Sequence, residues 1–281
     1  MTAGLAKLSL NQKTVNSCSV PEVVELCRTH GIGSVGLWRE PVAEHGLEAT
    51  AALVREAGLR VSSLCRGGWF TATGPAFDEA IASNRAAIEE AAALSADCLC
   101  LVVGGLPDGS RDLVAARDQV ARALELLVPY ASEHQVKLAL EPMNPIYAAD
   151  RGVLSTLGQA LDLAAPYAPD QVGVMVDTFH VWWDPQLAEQ VARAGAEGRI
   201  LSYQVCDWIT PLPADSLLAR GMMGDGHIDF ASIGTLVAGA GYTGDIEVEI
   251  FNADLWAADP TEVVDTMVTR FAELCAPYAG Q

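Results

Sequence analysis

Short apolar runs recur along this chain between stretches of helical periodicity, and the later runs end in an oxygen-bearing side chain. The most constraining is Lys137-Leu-Ala-Leu-Glu141, followed at once by Pro142. A run this short reads as a buried strand. Proline has no N–H to give to a ladder, so the strand ends with Glu141 at its tip. A carboxylate in that position is costly unless it is paired or bound to a cation. The runs Val174–Asp177, Leu201–Gln204 and Ile246–Glu249 end in the same way.

The same reading extends over the whole chain. Strands are predicted at Lys7–Asn11, Gly33–Trp38, Arg60–Cys65, Asp97–Val103, Lys137–Glu141, Gly173–Asp177, Ile200–Cys206 and Gly244–Phe251. Helices are predicted between and after them, at Pro21–His30, Val42–Ala57, Phe77–Leu94, Arg111–His134, Val153–Ala165, Pro185–Ala194, Phe230–Ala240 and Pro260–Leu274, with a long loop over 207–229. Regular alternation of β and α implies a parallel sheet. Eight such units close most simply into a single (β/α)8 TIM barrel, one α/β domain over 1–281, and a length of 281 residues suits that fold. A doubly wound open sheet is the rival, but no GxGxxG follows the first strand to support it.

Seventeen basic against thirty-six acidic residues give a net charge of −19. Such a field repels nucleic acid and anionic membrane surfaces. The sequence contains no apolar stretch of membrane-spanning length and no signal-peptide pattern at its start. Seven cysteines, an odd number without a CxxC pair, read as buried thiols in a reducing compartment. These features lead to the expectation of a cytoplasmic protein with a small-molecule partner.

In a TIM barrel the strand tips form the active-site face. Glu141, Asp177, Gln204 and Glu249 therefore belong to neighbouring tips, on strands five to eight. Three converging carboxylates repel one another unless a divalent cation sits among them. An all-oxygen donor set, with Gln204 using its carbonyl, favours Mn2+, with Mg2+ or Co2+ as alternatives, over a metal that prefers nitrogen and sulfur. Trp38 ends strand two, and Arg66, Trp69 and Phe70 follow strand three, where they are placed to wall a pocket. Asn144 can hydrogen-bond a substrate but cannot abstract a proton. Asp207 is expected to orient Gln204 or a substrate group. Glu247 is expected one layer below Glu249, paired with a lysine or arginine. No lysine or arginine cluster is evident at the strand tips, which argues against a phosphorylated substrate.

The chain resembles the xylose-isomerase-like TIM barrels, the sugar isomerase and epimerase superfamily, along essentially its whole length. The resemblance is carried by Leu140-Glu141-Pro142, Asp177-Thr-Phe-His180 and Gln204-Val-Cys-Asp207. Arg220-Gly, Gly224-Asp-Gly226-His-Ile-Asp229 and Glu247-Val-Glu249-Ile-Phe251 complete it. It implies a metal held by Glu141, Asp177, Gln204 and Glu249, with Gln204 standing where the family has histidine. It also implies Glu141 and Glu249 as general bases, with His180 and Arg220 on substrate oxygens.

The expected reaction is proton abstraction next to a carbonyl of a sugar-like substrate through a metal-stabilised enediolate, as in an isomerase or epimerase. The alternatives are a lyase performing β-elimination on a 3-keto sugar or keto-glycoside, and a non-catalytic sugar-binding barrel. Cleavage of damaged DNA is disfavoured by the charge and by the lack of histidine ligands. Barrels of this superfamily are often dimers or tetramers, so a homo-oligomer is compatible with the sequence.

Overall fold

Strands flanked by helices bury both faces, so even the polar residues of alternating strands, such as Ser9 and Asn11, are buried. In the computed structural model, which describes residues 3–279, eight such strands close into a barrel. They are β1 (Leu8–Asn11), β2 (Ser34–Trp38), β3 (Arg60–Gly68), β4 (Leu99–Val102), β5 (Leu138–Leu140), β6 (Val172–Asp177), β7 (Ile200–Val205) and β8 (Ile246–Val248). Every neighbouring pair is parallel, and β8 pairs back onto β1. This is the expected (β/α)8 TIM barrel. Among the described residues, no helix is long and apolar enough to cross a membrane.

Helix ends follow local chemistry. The helix Val20–His30 begins with a capping box between Ser19 and Glu22, carries Pro21 in its first turn, and stops at Gly31 with φ 67°. The stretch predicted as one helix over 42–57 is two, Arg39–His45 and Leu47–Glu56, broken at Gly46 where φ is 96°. The helix predicted from Val153 begins at Leu157, because the Thr156 hydroxyl accepts the Gln159 N–H and sets the cap there. Within the stretch read as a loop, Asp207–Trp208 and Arg220–Gly221 form a short antiparallel ribbon.

Strand register sets the site. Asp177 is the last residue of β6 and lies level with Gln204 of β7, which lies level with Glu247 of β8. Glu141 and Glu249 directly follow β5 and β8. All four predicted ligand residues are buried at the C-terminal end of the barrel.

Candidate active site

Asp177 and Glu249 are joined by one guanidinium. Arg220 Nη1 donates to Asp177 Oδ2 and to Glu249 Oε2, both at 2.9 Å, and the arginine is itself buried. The other Asp177 oxygen accepts the Phe179 N–H at 2.8 Å, and the other Glu249 oxygen accepts from Asn11 Nδ2 at 3.0 Å. Glu141 Oε2 accepts the Cys100 thiol at 3.3 Å. Arg220 comes from the ribbon, and Asp207 holds the loop beside it. The Asp207 carboxylate accepts four backbone N–H groups, from Trp208, Gly224, Gly226 and Ile228, at 2.8–3.0 Å. A Cβ on Gly226 would stand 2.1 Å from the Trp208 carbonyl oxygen, so only glycine fits there. Of the two roles expected of Asp207, the one on Gln204 is corrected: it makes no hydrogen bond to Gln204 and instead orders the 224–228 loop.

His180 sits fully buried between Glu141 Oε1 at 3.6 Å and Asp177 Oδ2 at 3.7 Å, both measured from Nε2. Its Nδ1 accepts the Asn144 backbone N–H at 3.1 Å, and its Nε2 lies 3.2 Å from Arg220 Nη2, so a guanidinium donor faces the second ring nitrogen. Burial, then the Arg220 charge, pushes its pKa well below the ordinary histidine range, so the ring is neutral. The Asn144 Oδ1 accepts the Ile146 N–H at 3.2 Å and caps the turn that follows.

Glu247 lies one layer below Glu249, as expected, but its partners differ from the expectation. It accepts from Asn11 Nδ2 at 2.6 Å, Gln204 Nε2 at 2.8 Å and the hydroxyls of Ser62 and Ser63, with no lysine or arginine among them. Four neutral donors satisfy a carboxylate without the need to bury a cation. Gln204 Oε1, on the other side of the same amide, is buried and has no hydrogen-bond partner.

Four buried carboxylates (Glu141, Asp177, Glu247 and Glu249) thus share one buried guanidinium. Burial and then the Asp177 charge push Glu141 up to about 7, against the pull of Arg220. Burial likewise raises Asp177 and Glu247, and raises Glu249 well above the carboxylate range. Ligand-type atoms of Glu141, Asp177 and His180 lie within 4.8 Å of one another, a group that could hold a metal ion. Both His180 nitrogens already face donors, Asn144 N–H and Arg220 Nη2, which leaves the carboxylate oxygens as the better ligands. The orphaned Gln204 carbonyl and the surplus of buried negative charge both fit a divalent cation.

Above this floor a cavity of about 240 Å3 opens, lined among others by Trp38, Arg66, Glu141, Arg220 and Glu249. Asp177, His180, Asn144 and Gln204 lie outside its lining. Trp38 donates its Nε1–H to Asn11 Oδ1 at 3.0 Å and packs edge-on to Phe251. Arg66 lies 4.8 Å above the Trp69 ring, and Lys13 the same distance from Trp38. With Arg151 and Arg220, these bring four cations to the lining. No such cluster is readable in the sequence, because the four come from separate segments. Asn11, Ser62, Ser63 and Cys100 were also missed. Period-two placement could have aimed Asn11, Ser63 and Cys100 at the barrel interior, but not Ser62, which joins its neighbour Ser63 there because the β2–β3 register shifts at that point.

A closed parallel barrel with buried carboxylates at its C-terminal end defines a (β/α)8 protein with an acidic centre. The model of the xylose isomerase-like TIM barrel family matches residues 24–271, and the chain belongs to that family. It is similar to protein SMc04130 from Sinorhizobium meliloti 1021, at 46% identity over 96% of this chain and 99% of that one, with a TM-score of 0.93. Two more distant structures share the fold. One is IolI protein with a bound zinc atom (19% identity, 97% and 99% covered, TM-score 0.80). The other is the D-psicose 3-epimerase from Clostridium cellulolyticum H10 with D-tagatose (14% identity, 97% and 99% covered, TM-score 0.78). No curated protein matches the chain.

Proposed function

We propose that this protein is a divalent-metal-dependent isomerase or epimerase of a sugar-like substrate, with Mn2+ as the metal and Glu141, Asp177, Gln204 and Glu249 as its ligands. The observation that carries this reading is the surplus of buried carboxylates over the single Arg220, beside a Gln204 carbonyl without a partner. The fold relatives, one a D-psicose 3-epimerase and one holding zinc, lend it support.

When bound, the metal supplies Lewis acidity that makes the C–H beside a carbonyl easier to deprotonate. Glu141 and Glu249 act as the bases, one removing the proton and the other returning a proton at a different face or carbon. His180 and the Arg220 guanidinium hold substrate oxygens, with His180 Nε2 3.2 Å from Arg220 Nη2. Trp38 and Arg66 wall the pocket. With all seven cysteines free, a reducing cytoplasm is the compartment we infer.

Incubation of candidate aldoses and ketoses in D2O with Mn2+, read by NMR, tests the reaction. Solvent deuterium in the recovered sugar, lost in both Glu141→Gln and Glu249→Gln, is the expected outcome. Release of a leaving group from a 3-keto glycoside would move the reaction to β-elimination. No exchange with any sugar would remove the catalytic reading.

A further inference from the structure

Glu247 is the most deeply enclosed carboxylate among the described residues, with no exposure at all, and the proposed chemistry leaves it without a task. The barrel makes room for it: a Cβ on Gly36 would lie 2.5 Å from its Oε1. Its surroundings are oriented rather than merely polar. Asn11 Oδ1 accepts the Lys13 N–H at 2.9 Å and the Trp38 Nε1–H at 3.0 Å, so the Asn11 NH2 must face the carboxylates. That NH2 bridges Glu247 at 2.6 Å and Glu249 at 3.0 Å. Gln204 Nε2 reaches the same Glu247 oxygen at 2.8 Å. A carboxylate can only accept, so it takes the amine side of each amide and turns the carbonyl away. For Gln204 that carbonyl is the buried oxygen without a partner, and the neighbour opposite Glu247 across the strand is Asp177.

We infer that Glu247 is a positioning residue: by holding the Gln204 NH2 it presents the Gln204 carbonyl as a metal ligand, and through Asn11 it steers Glu249. The inference rests on the metal reading of the site proposed above. It explains how a neutral amide serves on this strand. Left free, an amide can turn either face to the cation, and Glu247 removes that choice.

Two measurements test it. Exchange of the Gln204 side-chain NH2 protons is followed by NMR in metal-free protein, and Mn2+ affinity is measured by EPR titration. The NH2 protons are expected to exchange slowly in wild type and in Glu247→Gln, where a carbonyl oxygen still accepts, and rapidly in Glu247→Met. Mn2+ affinity is expected to fall by about tenfold or more in Glu247→Met and by less than about threefold in Glu247→Gln, in keeping with residues that orient metal ligands. Ser63→Ala, which removes a donor to Glu247 but leaves its bond to Gln204, is expected to lower the melting temperature while keeping wild-type Mn2+ affinity. Wild-type Mn2+ affinity in Glu247→Met, or a freely exchanging Gln204 amide in wild type, overturns the inference. A wild type that protects the amide yet binds no Mn2+ overturns the metal reading and the ligand role assigned to Gln204. If Glu247→Met does not fold, wild-type exchange and the Glu247→Gln affinity decide the matter.

Discussion

Arg220 sets the electrostatics at the scale of single residues. Its one nitrogen reaches both Asp177 and Glu249 at 2.9 Å, and no other arginine or lysine forms an ion pair with either among the described residues. Removing one partner of a buried pair costs about 3–5 kcal/mol, because the remaining charge stays uncompensated. Arg220→Met is therefore expected to lower the unfolding free energy by about that amount, measured by urea denaturation in EDTA. A loss below about 1 kcal/mol would show that the two acids are already neutral. The same crowding sets a pH dependence. Glu141 rises from 4.5 to about 7 on folding, through burial first and the Asp177 charge second. Across that interval the folded state binds more protons than the unfolded state, so stability falls as pH rises from 4.5 to about 7 and levels off above it. Melting temperatures of metal-free protein across this range should show the decline, and Mn2+ should flatten it. An apo protein that grows more stable across the same range would contradict the assignment.

Among the elements, the ribbon and loop between β7 and β8 decide whether Arg220 is in place. Asp207 gathers four N–H groups from positions 208, 224, 226 and 228, and no periodic pattern brings those positions together. Asp207→Ala leaves the N–H groups without their acceptor, at an expected cost of about 3 kcal/mol. Hydrogen exchange at Gly224, Gly226 and Ile228 should accelerate in the variant relative to the barrel strands. Unchanged protection there would mean that the loop is held by other contacts. The strands around this loop were legible because each is a short apolar run closed by proline, glycine or a charge. The ribbon was not, since two residues per strand carry no alternation to read.

For the molecule as a whole, barrel closure holds the acids of β5 to β8 in one buried region despite a net charge of −19. A ligand that binds only the folded state adds stability by mass action, about 2.7 kcal/mol when present at a hundred times its dissociation constant. Saturating Mn2+ is therefore expected to raise the melting temperature, and EDTA to reverse the rise. Titration by differential scanning calorimetry measures it, and a melting temperature indifferent to Mn2+ would count against the metal.

By itself the sequence determined the barrel and the four strand-tip residues Glu141, Asp177, Gln204 and Glu249. Both follow from local rules: the lengths of apolar runs, the stop that Pro142 imposes, and the one edge at which parallel strands must all end. Only the tertiary structure decided which partners those residues meet. Glu247 faces Asn11, Ser62, Ser63 and Gln204 in place of a lysine or arginine, and Asp207 serves a loop in place of Gln204. The physical reason is distance along the chain. A strand's own periodicity places a side chain inside the barrel, but its hydrogen-bond partner lies on another strand up to 236 residues away, brought alongside only when the barrel closes.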